Sequence, residues 1–193
     1  LPLKILLFAD APTCELVASH ILADVEPAAM LRRVRCEPFP CIHPTYNVPT
    51  YDCIFRRARE LTTTPLLMYT NSDIVFFRDM PDIAHNIAEQ FDNFVIVGKR
   101  RDIRLPPFID PLLTRDMYLL HEAVRQEGVL HGKFGIDYFI FPTAKVPDLL
   151  PFLVGRVRWD NWLLAQYIRW ADAHSVDATA AILAGHHSLT PLG

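Results

Sequence analysis

The stretch LLMYTNSDIVFF, residues 66–77, decides the fold, because a run this apolar predicts a buried strand. Thr70-Asn71-Ser72-Asp73 interrupts it, and burying a carboxylate without a partner is unfavourable. A polar break of this kind indicates a tight turn, a sheet edge or a binding site. Spacing alone leaves two interpretations of Asp73 open: a metal ligand helped by Asn71, or a turn residue stabilised by Asn71.

The segments on both sides of this stretch alternate between strands and helices. Their strands are apolar on both faces, as strands covered by helices are. Residues 176–184 are predicted as short and partly β, and GHHSLTPLG (185–193) as an irregular tail. We predict a single domain over residues 1–193 with a three-layer α/β/α fold and a mostly parallel central sheet. Strands are predicted at 4–10, 33–39, 65–69, 73–77, 93–100 and 137–142, and helices at 12–25, 50–62, 80–91, 113–128 and 159–174.

Composition is that of one globular domain, with 193 residues, 51% hydrophobic and 21% charged. The net charge of −3 argues against a nucleic-acid partner. No apolar run approaches the ~20 residues that a membrane span needs, so we predict no transmembrane segment. Cys36 and Cys41 are close enough in sequence to pair, but the favoured interpretation of the four cysteines is free thiols in a reducing compartment.

Polar clusters follow three of the predicted strands. Asp10 follows the first strand, TNSD (70–73) follows PLLMY, and Lys99-Arg100-Arg101 follows NFVIV. Ligands of doubly wound sheets bind outside the carboxyl ends of the strands. Acids and bases at equivalent strand ends therefore predict one crevice that holds a phosphate group together with a metal ion.

A family resemblance covers most of the chain, about residues 4–187. PLLMYTNSDIVFFRDM (65–80) resembles the Asp-x-Asp region of GT-A glycosyltransferases, which in many relatives reads Asn-x-Asp. Further segments resemble one subgroup in the same order, and small domains of this type are also encoded by large algal viruses. They are NVPTYDCIFRRARELTTTPLLMYTNSDI (47–74), VGKRRDI (97–103), GIDYFIF (135–141), VGRVRWDNWLL (154–164) and VDATAAILAGHH (176–187).

The resemblance implies a Rossmann-like GT-A fold and a glycosyltransferase. Such an enzyme moves a sugar from a nucleoside-diphosphate sugar, with UDP-sugar favoured, to a glycan or other hydroxyl acceptor. Asp73 then becomes the metal ligand, with Asn71 and Ser72 beside it at the donor. His186 corresponds to a C-terminal metal ligand, and imidazole with carboxylate suits Mn²⁺, with Mg²⁺ as the alternative. Taken alone, GHH (185–187) is also consistent with a solvated tail. The related pattern continues with further polar residues and a second His, where this chain has His187, Ser188 and Leu189, so the resemblance does not imply a ligand role for His187.

The same resemblance gives donor contacts in the first third of the chain. Ala9, Asp10 and Thr13 correspond to the loop that holds the nucleobase and ribose. Arg57 would point at the donor, and its alternative is an ion pair with Glu60 on the same helix.

Three further residues are assigned to the donor phosphates, the sugar and the acceptor. Arg100 matches the basic residue of a Gly-x-Arg segment, and a guanidinium binds phosphate or sugar oxygens. Asp137 would lie near the transferred sugar. Asp160 is the candidate base for the acceptor hydroxyl of an inverting enzyme, or else the N-cap of the following helix. In a retaining enzyme Asp137 or Asp160 would stabilise charge instead.

A non-catalytic nucleotide-sugar or glycan-binding domain on the same fold is the alternative function. Asn71 favours it, because Asp occupies the first position of the Asp-x-Asp motif. The expected location is the cytoplasm, that of the host cell if the protein is viral. The sequence does not begin with Met, so we expect it to belong to a longer chain with further domains.

Overall fold

A computed structural model describes residues 4–17, 34–104, 114–132, 135–156 and 158–187. Residues 18–25 of the predicted helix 12–25 lie outside this part of the chain. The strands are β1 (Ile5–Ala9), β2 (Val34–Pro38), β3 (Leu66–Thr70), β4 (Ile74–Phe76), β5 (Phe94–Gly98), β6 (Arg101–Ile103), β7 (Val129–Leu130), β8 (Tyr138–Pro142), β9 (His174–Asp177) and β10 (Ala184–His187). The helices are α1 (Ala11–Leu16), α2 (Tyr51–Leu61), α3 (Asp79–Ala88), α4 (Thr114–Glu127) and α5 (Trp159–Arg169), with a 3₁₀ turn at Thr143–Lys145.

Contacts divide the chain into two compact units. The first unit is Leu1–Thr63 with Pro147–Trp159, and the second unit is Thr64–Val146 with Asp160–Gly193. In the first unit β1 and β2 pair in parallel. Helix α2 presents an apolar face on which Tyr51 stacks against Trp159, with ring centroids 4.0 Å apart. The prediction of a single domain stays a prediction.

All four cysteines of the first unit are paired, as Cys14–Cys36 and Cys41–Cys53. The prediction of free thiols was therefore wrong, and so was the suggested pair Cys36–Cys41. Sequence spacing failed here because β2 brings Cys36 beside α1, where Cys14 lies.

The second unit contains two small sheets of mixed direction. One has the strand order β3-β8-β5-β9, with β8 antiparallel to both neighbours and β5 parallel to β9. The other has the order β4-β10-β6-β7, with β10 antiparallel to β4 and parallel to β6. The mixed α/β class is confirmed, but these sheets differ from the single, mostly parallel sheet that was predicted.

The polar break TNSD (70–73) connects the two sheets of the second unit. Strand β3 ends at Thr70 in one sheet and β4 begins at Ile74 in the other. Between them the Ile74 amide donates a hydrogen bond to the Asn71 carbonyl over 3.4 Å, which closes a turn. Strands β3 and β5 are both antiparallel to β8, so their carboxyl ends lie at the same edge of that sheet. Thr70 and Gly98 mark these ends, as the strand-end argument expects.

The core of the second unit is built on β5 and β8, which are almost fully buried. Met80 and Ala84 of α3 pack against them. The prediction of an irregular tail was wrong for residues 185–187, because they form β10 between β4 and β6. Residues 188–193 lie outside the described part. In that part no helix has the length and apolarity to cross a membrane.

Candidate metal centre

Asp73 and His186 meet at the pairing of β4 with β10. In the antiparallel register His186 lies opposite Ile74, the residue after Asp73. His186 Nε2 is 3.3 Å from Asp73 Oδ2, and the two side chains are 18% and 61% exposed. Two ligand atoms at right angles on one ion, each about 2.1 Å from it, are about 3.0 Å apart. The pair is therefore close to the spacing of neighbouring ligands on a divalent cation.

Asp102 lies behind His186 and holds a second histidine as well. It faces His186 in the parallel register of β6 and β10. Its Oδ1 is 2.8 Å from Nδ1 of His186, and its Oδ2 is 2.8 Å from Nδ1 of His131. One carboxylate thus contacts the Nδ1 atoms of two imidazole rings, and the Nε2 of His186 is left facing Asp73.

Arg100 connects this carboxylate to Asp137. Its Nε donates to Asp102 Oδ1 over 2.8 Å, and its Nη1 donates to Asp137 Oδ1 over 2.7 Å. The Arg100 amide donates to the other Asp137 oxygen over 2.9 Å, and Asp137 is only 5% exposed. We call this set the carboxylate–histidine cluster; it comprises Asp73, Arg100, Asp102, His131, Asp137 and His186.

Asp102 is the carboxylate of the cluster whose pKa is shifted most. Burial alone would raise the pKa of Asp102, but hydrogen bonds from Arg100, His131 and His186 and the charge of Arg100 lower it to about 2. Arg100 contacts two of the three carboxylates, Asp102 and Asp137, and the third, Asp73, contacts His186. With three carboxylates and one guanidinium, the cluster has a negative formal charge when histidine is counted as neutral. The exposed edge at Asp73 is therefore a candidate place for a divalent cation.

Asn71 and Ser72 both lie in the exposed turn before β4. The Asn71 side-chain oxygen accepts a hydrogen bond from the Tyr69 hydroxyl over 3.2 Å. The turn interpretation of Asn71 therefore fits the structure, and its predicted contact with a donor stays a prediction. Ser72 is exposed at the tip of the same turn.

The predicted acids Asp137 and Asp160 have different surroundings. Both oxygens of Asp137 are bonded to Arg100, so this buried carboxylate holds the segment that follows β5. Asp160 is the second residue of α5, so the N-cap interpretation was wrong. The side-chain amide nitrogen of Asn161 donates to Asp160 Oδ1 over 3.1 Å. An acid in the first turn is favourable at a helix N-terminus, and this explains its local role.

The donor residues predicted in the first unit surround β1 and α2. Asp10 is the N-cap of α1, and its Oδ1 accepts from the Thr13 amide over 2.8 Å. The hydrogen bonds from Thr13 lower the pKa of Asp10. Ala9 is the last residue of β1. For these three residues donor binding stays a prediction.

Arg57, also in the first unit, is engaged by two carboxylates. Its Nη1 donates to Glu60 over 3.2 Å, as the ion-pair alternative expected, and its Nη2 donates to Glu37 over 3.1 Å. A contact of Arg57 with a donor stays a prediction.

Sequence reasoning missed Asp102 and His131. In the sequence, Asp102 is only one residue of the segment VGKRRDI (97–103). It lies beside His186 because of the register between β6 and β10, which depends on residues far apart in the chain. His131 follows the two-residue strand β7, whose sequence gives no periodic signal. One sequence signal could have indicated Asp102. Arg100 and Asp102 carry opposite charges two residues apart, so in an extended chain their side chains point to the same side.

A second group of metal-ligating side chains does not fit a metal ion. Within the described ranges, the group of three that could surround an ion is Cys41, Asp52 and Cys53. Both sulfurs are used in the Cys41–Cys53 disulfide, and a disulfide sulfur is not the thiolate that metals bind. The candidate ligands therefore remain Asp73 and His186.

An open cavity of about 800 Å³ lies at the far end of β4 from Asp73. Its volume is within the usual range of ligand pockets. Aromatic and polar side chains mix in its wall, which makes it suitable for an amphipathic molecule. The lining residues are Phe76, Phe77, Arg78, Asp79, Thr114, Met117, Tyr118 and His121.

Two comparisons with known proteins were negative. No protein-family model matches the sequence, and no curated protein matches it significantly. The similarity to GT-A glycosyltransferases is therefore a resemblance of motifs, and the function is argued from the geometry of the carboxylate–histidine cluster.

Proposed function

We propose that this chain is a metal-dependent glycosyltransferase that uses a nucleoside-diphosphate sugar, with UDP-sugar favoured, and a glycan or other hydroxyl acceptor. The observation that supports the proposal is the 3.3 Å approach of His186 Nε2 to Asp73 Oδ2 at an exposed sheet edge. Nitrogen and oxygen ligands of this kind suit Mn²⁺, with Mg²⁺ as the alternative. Asp73 and His186 would hold the ion, and the donor diphosphate and water would supply its other ligands.

The proposed chemistry needs a stabilised leaving group and a proton acceptor. A bound cation supplies Lewis-acid stabilisation of the departing diphosphate. The acceptor hydroxyl attacks the anomeric carbon, and Asp160, which is partly exposed, is the proposed base in an inverting reaction. Asp137 is proposed to hold Arg100 in place, since both of its oxygens are bonded to that residue.

The acceptor has a candidate place in the second unit. The cavity begins at Phe76, three residue steps along the chain from Asp73, or about 10 Å at ~3.3 Å per residue. That distance is suitable for an acceptor whose hydroxyl reaches the sugar while its apolar part contacts Phe76 and Phe77.

The two disulfide bonds indicate the redox state of the compartment in which the protein is found. Two disulfide bonds persist in oxidising compartments and are rare in the cytosol of mesophiles. We therefore propose a non-reducing compartment in place of the cytoplasm expected from the sequence.

A non-catalytic domain that binds nucleotide sugars is the second candidate. It is favoured by Asn71, whose side-chain oxygen is bonded to Tyr69 and whose position lacks a second acidic ligand. Both candidates predict binding of a nucleoside diphosphate with a metal ion. They differ in turnover, since only the enzyme transfers or slowly hydrolyses a bound donor sugar.

Thermal unfolding with a panel of nucleoside diphosphates, each with Mn²⁺ or with a chelator, tests the proposal. A ligand at 100 times its dissociation constant adds about 2.7 kcal/mol, which raises the unfolding midpoint of a chain this size by roughly 5–10 °C. We expect one nucleotide to produce this shift, and we expect the chelator and Asp73→Ala to abolish it. Asp92→Ala, a change at another exposed aspartate, is the matched control. No shift with any nucleotide would refute the proposal.

A further inference from the structure

We propose that Asp102 is a positioning residue that fixes the ring of His186, so that the Nε2 lone pair faces Asp73 and is available to a cation. This inference rests on the proposed metal site. It concerns the orientation and tautomer of one ring, and its test uses metal alone, without a nucleotide.

Hydrogen-bond chemistry supports this role. An ionised carboxylate only accepts hydrogen bonds, so each neutral ring that contacts Asp102 through Nδ1 carries its proton there. The unprotonated nitrogen of His186 is then Nε2, which is the atom 3.3 Å from Asp73. Histidine ligands of metals commonly donate their other N–H to a carboxylate, which fixes the ring and makes it a better ligand.

The surroundings fix the position of Asp102 itself. Its strand β6 is paired on both sides, with β10 and β7. Arg100 Nε and His186 Nδ1 both reach Oδ1 over 2.8 Å, while Oδ2 takes His131 Nδ1. The two oxygens therefore have different sets of donors, and this difference makes a selective substitution possible.

Asp102→Asn distinguishes the two oxygens. Arg100 can only donate, so the amide oxygen of the new side chain should occupy the Oδ1 position and still accept from Arg100 and His186. The amide nitrogen then occupies the Oδ2 position and donates to His131 Nδ1. His131 should change to the tautomer with the proton on Nε2, whereas His186 should keep its proton on Nδ1. Asp102→Ala removes both acceptors.

Nitrogen-15 NMR of the histidine rings, at a pH where they are neutral, reads these tautomers directly. A His131→Gln variant assigns the His131 signals. Mn²⁺ titration followed by electron paramagnetic resonance, without nucleotide, gives the affinity in the same samples. Asp92→Asn is the matched control, because Asp92 is exposed in the same unit.

We expect both rings of the wild type to carry the proton on Nδ1, and only His131 to change in Asp102→Asn. Loss of a carboxylate behind a ligating histidine lowers metal affinity by about 10–100-fold, so we expect this loss in Asp102→Ala and a smaller one in Asp102→Asn. The inference is overturned if the His186 ring carries its proton on Nε2 in the wild type, or if Asp102→Ala binds Mn²⁺ as the wild type does. A wild type that binds no Mn²⁺ overturns it as well. A wild type that binds Mn²⁺ but no nucleotide would refute the glycosyltransferase and leave the role of Asp102 standing.

Discussion

Replacement of Arg100 by methionine should destabilise the protein strongly. The guanidinium is 17% exposed and lies between Asp102 and Asp137, which are 18% and 5% exposed. In Arg100→Met the Asp137 carboxylate would keep only the backbone amide of residue 100 as its donor among these contacts. Removing one partner of a buried ion pair typically costs about 3–5 kcal/mol, because the other charge stays buried without compensation. The midpoint of thermal unfolding should fall by roughly 2–4 °C for each kcal/mol, or at least about 6 °C.

Urea unfolding of the single and double variants separates this effect from lost packing. Arg104→Met is the matched control, since Arg104 is exposed and no ion pair joins it to another described residue. Asp137→Asn removes the uncompensated charge, so Arg100→Met with Asp137→Asn should be more stable than the sum of the two single losses by at least about 1 kcal/mol. The reasoning fails if Arg100→Met unfolds within about 1 kcal/mol of the wild type, or if the two losses simply add.

Three further predictions follow from other parts of the structure. A Cβ on Gly98 would overlap the buried Tyr138 hydroxyl, so Gly98→Ala should lower the free energy of unfolding in urea by about 1–3 kcal/mol. The pKa of Asp102 is about 2 against an ordinary 3.8, so the stability it contributes is present above about pH 4 and lost as the pH falls towards 2. At about 1.36 kcal/mol per pH unit this loss is about 2 kcal/mol, and it should be missing from Asp102→Asn in metal-free unfolding measurements over the same range. Replacing both Cys14 and Cys36, which are 22 residues apart, by serine should lower the free energy of unfolding by about 3 kcal/mol. An unchanged free energy of unfolding would show that this disulfide does not stabilise the fold.

Local patterns predicted the elements of the fold better than their arrangement. Helix 113–128 is observed as Thr114–Glu127 and strand 93–100 as Phe94–Gly98, because caps, glycine and apolar runs act within the segment itself. Strand direction depends on partners far away in the chain. Residues 137–142 read as one more buried strand, and nothing in their sequence indicates that β8 is antiparallel to both neighbours. The prediction of a mostly parallel sheet is not confirmed for this reason.

The candidate site shows the same limit at the level of single residues. Asp73 could be singled out because a carboxylate inside an apolar run requires an explanation. His186 was found only through a family resemblance. Its segment GHH (185–187) has no apolar alternation, so the sequence does not predict the strand β10 that places this histidine. Asp102 was missed because its role depends on a register between β6 and β10 that no local spacing encodes.

The turn and the site, which the sequence presented as alternatives for TNSD (70–73), are compatible in the structure. The apolar run that contains it forms two strands in different sheets, and the chain needs a polar turn where it passes from one to the other. That turn leaves Asp73 61% exposed, so its carboxylate is not buried. A turn alone would explain the hydrogen bond between the Asn71 carbonyl and the Ile74 amide, but it would not explain why an aspartate stands at position 73. The imidazole of His186 is what makes Asp73 a candidate ligand, because β10 brings this ring, with Asp102 behind it, to the first residue of β4.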